Sequence, residues 1–359
     1  MKPMVSASID TAALRHNLSV VRDYAPGTRV MAVIKANAYG HGLVPVATAL
    51  SEADAFAVAR LDEGLMLRAA GIDKTIVLLE GVFDLEQLEV AVAAGFELVV
   101  HVPEQIELLR ALSTGARCTV WLKLDSGMNR LGFKGHAFAD AWAALQGLAA
   151  VRRPVGLFTH FGSADERDAG DTLAQLQCFQ EATGLLDGAR CLANSAGLLN
   201  FPASRGDWVR PGLLLYGVSP LPERIGADLR LRAVMTLQSR VIAVKDVAVG
   251  ERVGYGGTWT AERRTRLAVA AVGYGDGYPR SVRSGAPVLV GGARAALAGR
   301  VSMDMIGIDV TDAEIAPQLG DAVVLWGPQL PVEEIARWAG TIPYELLCGI
   351  SQRVAVELR

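Results

Sequence analysis

Long apolar runs are missing from this sequence: none reaches the roughly 20 residues that a membrane-spanning helix needs. Charge is nearly balanced, with a net of −3, so no basic excess draws the chain to nucleic acid. Cysteine is scarce. Cys118, Cys178, Cys191 and Cys348 lie far apart with no CxxC, which suits reduced thiols in a cytoplasmic protein and not a disulfide framework. His16, His41, His101, His136 and His160 are equally scattered, and no pair has metal-ligand spacing, so no metal site is expected. The N-terminus lacks a basic segment followed by an apolar core, so no export signal is expected. Low-complexity tracts and long internal repeats are absent. What is present is an enzyme-like composition: 359 residues, 51% of them hydrophobic, with room for two domains.

Residues 5–9 form a short strand candidate, and Asp10 suits the N-cap of a helix over 11–23. A regular rhythm then begins. Strand candidates fall at 30–34, 55–59, 75–79, 97–100, 118–124, 155–159, 190–193 and 208–209. Helical patterns at 43–50, 62–70, 85–94, 103–112, 137–148 and 172–186 lie between most of them, and Gly71, Gly95 and Gly115 suit helix stops. This alternation predicts a (β/α)8 barrel of the TIM type. An open doubly wound sheet is the rival, but no GxGxxG follows the first strand. Near residue 230 the texture changes to short runs rich in valine and glycine, at 234–244, 266–272, 287–290, 305–310 and 322–325. We therefore expect a barrel domain over 1–230 and a mainly-β domain over 231–359, with one helix near 332–339. The strand at 5–9 is a candidate to pair with the second domain.

In such a barrel, chemistry sits at the C-terminal ends of the strands. Those ends carry Lys35, then Lys123 and Asp125 followed by Arg130, then His160, Asn194-Ser195 and Arg210-Pro211-Gly212. The second and third strands end in Arg60 and Glu80, which look bland. Lys35 stands out, because it follows a buried apolar strand and opens a glycine-bearing loop. A lysine there is costly to desolvate unless it is paired or covalently used, and burial lowers its pKa toward that of an amine nucleophile. On residues alone, a lysine snorkelling to solvent fits as well.

The stretch Ala32 to Gly42, AVIKANAYGHG, resembles the cofactor-lysine signature of the bacterial alanine racemases. These are pyridoxal-phosphate (PLP) enzymes with a barrel and a β domain. The resemblance continues through WLKLDSGMNRLGF from Trp121, GYGDGYPR from Gly273, GRVSMDM from Gly299 and YELLCG from Tyr344, so it spans both domains. Ser302 stands where some members carry cysteine.

The resemblance implies a PLP-dependent isomerase that interconverts L- and D-alanine in a homodimer with sites shared across subunits. Lys35 would hold the cofactor aldehyde and act as one base; Tyr255, bracketed by glycines, would be the opposite-face base from the partner. Tyr39, Asn194, Ser195, Gly212 and Leu213 would cradle the phosphate near strands seven and eight. Arg210, oriented by His160, would face the pyridine nitrogen. An arginine keeps its proton, so that nitrogen stays neutral and the ring is a weaker electron sink than beside an aspartate. Arg130 would bind the phenolic oxygen and the substrate carboxylate region, and Tyr344 would contact the cofactor. Met303 and Asp304 would meet substrate. Asp165, Tyr274, Arg280 and Arg300 would shape the entrance. Lys123 matches a lysine that some members carbamylate to pair with this arginine; an unmodified Lys123 paired with Asp125 is the plainer alternative. Nearby positive charge, routed from Arg210 through His160, would lower the Tyr255 pKa. A barrel-type decarboxylase would need an acidic ring partner and a cysteine in place of Tyr255. A PLP carrier would not need the second domain. The product D-alanine serves peptidoglycan supply or catabolism.

Overall fold

The computed structural model describes residues 3–113, 115–313 and 316–359. The first strand, β1 (Ser6–Ile9), is followed by the helix Thr11–Tyr24, whose N-cap Asp10 accepts from the Ala12 and Ala13 amides. Eight parallel strands then close a barrel: β2 (Arg29–Val33), β3 (Ala55–Val58), β4 (Ile76–Leu78), β5 (Glu97–Val100), β6 (Cys118–Lys123), β7 (Val151–Phe158), β8 (Arg190–Cys191) and β9 (Trp208–Val209). β9 pairs back onto β2. Burial on both faces explains the unbroken apolar runs: one face fills the barrel and the other meets the surrounding helices.

The second sheet is built from β10 (Met235–Val247), β13 (Thr265–Ala270), β14 (Pro287–Val290), β15 (Ala293–Leu297), β16 (Ile306–Asp309), β17 (Ala322–Trp326) and β18 (Ala355–Leu358), together with β1. A separate hairpin pairs β11 (Arg252–Val253) with β12 (Trp259–Thr260). β10 is thirteen residues long and alternates buried and half-buried positions along its first half, as a strand with one wet face must. β1 pairs antiparallel with β10 and parallel with β18, so the chain's first strand joins its last. Sequence periodicity overlooked β11, β12, β15 and β18. Three of these are exposed along much of their length and carry little hydrophobic signal.

One continuous apolar core runs from the barrel into the second sheet. The helix Pro343–Cys348 of the C-terminal segment packs on the barrel rim so closely that a Cβ on Gly40 would lie 2.2 Å from the Leu347 carbonyl oxygen. That contact places C-terminal side chains beside Lys35.

Candidate active site

The C-terminal ends of the barrel strands surround a cavity of ≈ 570 Å³. Lys35, Tyr39, Lys123, Arg130, His160, Asn194, Ser195, Arg210, Gly212 and Tyr344 all line it. Leu213 begins the next short turn behind Gly212. Val33, Ala36, Ala59, Leu79, Glu80, Leu131, Phe158, Ile342 and Cys348 complete the wall; the sequence reading named Glu80 only as a bland strand end and gave none of these a place in the site. Glu80 could have been found, since it lies just past the end of β4 at the same rim; Ile342 and Cys348 arrive only through tertiary packing.

Lys35 does not open an ordinary loop. The four residues after it, Ala36, Asn37, Ala38 and Tyr39, have φ between 52° and 54° and form one turn of left-handed helix. Each non-glycine residue in this conformation costs about 1–2 kcal/mol. The turn is held by hydrogen bonds from Ala38 N to Ile34 O (2.8 Å) and from Gly40 N to Ala36 O (3.1 Å). Its far end is gripped by His41, whose Nδ1 lies 3.0 Å from Ala38 O and 2.8 Å from Tyr39 O. His41 is fully buried, which pushes its pKa down to about 4, so it is neutral and Nδ1 donates. The Lys35 amine is pulled below the usual lysine range, first by burial and then by Arg130.

Arg210 is 3% exposed. Nη1 donates to the Cys191 carbonyl (2.7 Å), while Nη2 donates to the Thr159 (2.7 Å) and Leu192 (3.0 Å) carbonyls. The guanidinium lies 3.9 Å over the Phe158 ring. None of these partners is a carboxylate, so its charge is fixed in place without being neutralised. His160 Nδ1 sits 3.3 Å from Arg210 Nη2. Burial, then Arg210, holds the imidazole well below its ordinary pKa, so it is neutral with Nδ1 accepting.

Lys123 is buried and pushed down to about 8 by burial, Arg210 and Arg130. It does not pair with Asp125. That carboxylate is taken by Lys134 at 3.6 Å and by the Gly127 and Asn129 amides. Asp125 turns into the loop that follows β6, which corrects the simple pairing expected from adjacency. Arg130 is exposed at the rim of the cavity.

Tyr39 stacks on Tyr216 at 4.7 Å and tilts against Tyr344 at 5.7 Å. Burial keeps its phenol protonated. Its hydroxyl occupies the place beside Gly212 that a side chain would need: a Cβ there would lie 2.5 Å from it. The Gly212 amide donates to Ser195 Oγ at 3.0 Å, and Asn194 caps the helix Ser195–Asn200 through Gly197 N. Among the described lining residues the only carboxylate is Glu80, set against Lys35, Lys123, Arg130 and Arg210. A hydroxyl-lined cradle beside an amine, within an excess of fixed cations, fits PLP, which brings a phosphate, an aldehyde and a phenolic oxygen.

Tyr255, Tyr274, Arg280, Arg300, Met303 and Asp304 do not reach this cavity within one chain. Contacts between their segments draw all but Arg280 into a second group. Tyr255 sits at the tip of the β11–β12 hairpin and is 70% exposed. Arg252 pins that tip by donating to the Gly256 (2.8 Å) and Gly257 (2.9 Å) carbonyls. Tyr274 N donates to Ser302 O (3.1 Å) and Gly275 N to Met303 O (2.9 Å), so two separate motifs lie side by side. A Cβ on Gly254 would lie 3.6 Å from Arg300 N, which brings the tyrosine hairpin to the same place. Asp304 is engaged by Arg353 at 2.8 Å, and Arg353 also binds buried Asp276 at 3.3 Å; the sequence reading missed Arg353. The proposed link from Arg210 through His160 to Tyr255 is therefore not made within one chain. Arg252 and Arg300 flank the tyrosine loop instead. Asp165 is exposed and acts on Tyr344, whose phenol burial pushes up to about 12.

The fold and the rim define a TIM-barrel enzyme with an appended β domain and a lysine-centred cavity for an anionic cofactor. The alanine racemase N-terminal domain family matches residues 9–220, and the alanine racemase C-terminal domain family matches 234–358. An alanine racemase of Shewanella sp. (strain MR-7) is 50% identical over 356 residues, 99% of each chain. One from Aeromonas hydrophila is 49% identical over 351 residues, 98% of each. The crystal structure of the biosynthetic alanine racemase from Pseudomonas aeruginosa superposes with a TM-score of 0.96 at 45% identity, covering 100% of both chains. That of alanine racemase from Acinetobacter baumannii gives 0.94 at 38% identity, also over 100% of both. The chain belongs to the alanine racemase family, a family of PLP-dependent isomerases.

Proposed function

We propose that the protein interconverts L- and D-alanine with bound PLP, using one base on each face of the substrate. The observation that carries this reading is that Lys35 and Arg210 line one cavity: a desolvated amine and an arginine whose partners are all neutral. When bound, PLP supplies an electron-withdrawing ring that makes the substrate α-proton removable. The residues would hold it as follows. Tyr39, Ser195, Asn194, Gly212 and Leu213 would hold the phosphate. Arg210, kept in place by the Thr159, Cys191 and Leu192 carbonyls and by His160, would serve the ring nitrogen. Arg130 would bind the phenolic oxygen and the substrate carboxylate region, and Tyr344 would contact the cofactor.

The Lys35 amine takes or returns the proton on one face, and Tyr255 of a second copy does so on the other. The exposed hairpin that carries Tyr255 supports a shared site, because within one chain Tyr255 is not among the residues lining the cavity. Met303 and Asp304 would contact substrate, with Asp165, Tyr274, Arg280 and Arg300 around the entrance. Circular dichroism of L-alanine and of D-alanine with purified protein and PLP tests the activity. Decay of neither signal ends the proposal.

We put the domain junction near Arg230, giving domains of 1–230 and 231–359, with β1 of the first stretch lending a strand to the second domain's sheet. Four free cysteines suit a reducing compartment such as the cytoplasm. The racemisation is reversible, so it can serve D-alanine supply or removal.

Arg210→Glu supplies the acidic ring partner that the native site avoids. The variant is expected to acquire transamination of alanine, read as pyruvate release. No pyruvate would count against the role assigned to Arg210.

Lys123, neutral in part near pH 8, is the carbamylation candidate, since a carbamate would turn a cation among cations into their partner. Unmodified, it holds fewer protons folded than unfolded between about pH 8 and 10.4. Apo-protein stability in urea should therefore rise through that window without carbon dioxide. Bicarbonate, or Lys123→Met, should remove this part of the slope. A slope that neither changes argues against the assignment.

A further inference from the structure

We infer that Glu63 is the positioning residue for Lys35, because its carboxylate ties the first amide of the left-handed turn to the end of the neighbouring barrel strand. The inference rests on Lys35 being the amine that serves the cofactor. Ala36 N donates to Glu63 Oε1 at 2.6 Å. The other oxygen, Oε2, accepts from Ala59 N at 2.8 Å and from Arg60 N at 3.3 Å. One side chain thus joins the exit of β2, where Lys35 sits, to the exit of β3.

The turn needs such a tie. Its residues are alanine, asparagine, alanine and tyrosine; only the asparagine adopts φ near +53° readily, so the two alanines and the tyrosine need outside support. The first amides of any helical turn have no partner inside it. Here Glu63 takes the first amide, at the lysine end, and neutral His41 takes the carbonyls at the other end. Asn37 Oδ1 accepts from Leu43 N at 2.9 Å and fixes the middle. Of these three, Glu63 alone acts on the residue next to Lys35 and alone reaches another strand of the barrel. It does not line the cavity, so its effect on the amine runs through the backbone and through its charge, which also raises the Lys35 pKa against burial.

The carboxylate cannot be replaced by its nearest isostere without loss. Glutamine offers one acceptor oxygen, and its amide N–H groups would face the donors at Ala59 and Arg60. The test compares wild type, Glu63→Gln and Glu63→Ala. Amide hydrogen exchange is measured on the protein without PLP, and PLP affinity and kinetics on the loaded enzyme. We expect exchange at residues 36–40 to quicken about tenfold in Glu63→Ala, and by less in Glu63→Gln, with the barrel strands unchanged. PLP affinity should fall about tenfold or more. The kcat for both enantiomers should fall on the order of 10- to 100-fold with little change in KM, as a misplaced reacting group predicts.

Unchanged exchange in the turn overturns the inference. So does a uniform gain in exchange across the barrel, which would make Glu63 an ordinary stability residue. If Glu63→Ala does not fold, Glu63→Gln is read by the same criteria. Borohydride fixation of PLP followed by peptide mapping separates the two readings: attachment at another lysine refutes the role of Lys35, while the exchange data still judge the tie.

Discussion

Lys35→Ala should leave a folded protein that neither racemises alanine nor shows the visible absorbance of a lysine-bound cofactor. The substitution removes the covalent anchor and one of the two proposed bases, so the loss should be about 10⁴-fold or more. Stability should survive. Lys35 forms no ion pair among the described residues, and its amine is desolvated to the point of a lowered pKa. Removing it deletes an unfavourable burial and not a favourable contact. Thermal unfolding without PLP should therefore stay where it is or rise slightly. Absorbance spectra with added PLP and borohydride trapping check this. A yellow band that borohydride still fixes in the variant would place the chemistry on a different lysine.

Tyr255→Phe should act very differently. The ring stays and only the hydroxyl is lost from an exposed hairpin tip, so PLP binding and its spectrum should be unaltered. Racemisation should fall about 10²- to 10⁴-fold, the range for losing a positioned acid–base group. Because the two enantiomers have equal energy, kcat/KM must fall equally in both directions. The asymmetry should instead appear in deuterium oxide. We expect the variant still to wash deuterium into D-alanine through Lys35 and to fail with L-alanine. Equal exchange from both enantiomers would defeat the two-base assignment.

Mixing then tests where the tyrosine comes from. If it crosses to a neighbouring copy, re-equilibrating Lys35→Ala with Tyr255→Phe should regenerate intact sites. About one quarter of wild-type activity is expected when the subunits of a symmetric dimer exchange at random. No recovery despite proven subunit exchange would place both groups in sites made by a single chain, or refute their pairing.

Legibility from sequence varied with the kind of signal. The barrel strands were readable because strands buried on both faces leave continuous apolar runs, as at Val30 to Ile34. The short and exposed strands β11, β12 and β18 left no such trace. Arg210 was readable as a rim residue, but its ring of carbonyl partners was not, since Thr159, Cys191 and Leu192 belong to other strand ends. The conformation after Lys35 was misjudged. The two glycines, Gly40 and Gly42, do have positive φ, but so do the four residues before them, Ala36 to Tyr39, of which only Asn37 adopts it readily.

What the chain's order alone determined was the alternation of strand and helix and the chemistry at each strand end, because period and composition are local properties. Tertiary structure decided the rest. It seated β1 in the far sheet, set Cys348 and Ile342 against Lys35, freed Asp125 from Lys123 and gathered the segments around Tyr255, Tyr274 and Met303. Asp125 finds its partners Gly127, Asn129 and Lys134 within nine residues of itself, but the other outcomes depend on contacts between residues tens to hundreds of positions apart. No window of sequence contains both partners of such a contact, and a strained turn persists only where distant groups such as Glu63 hold it.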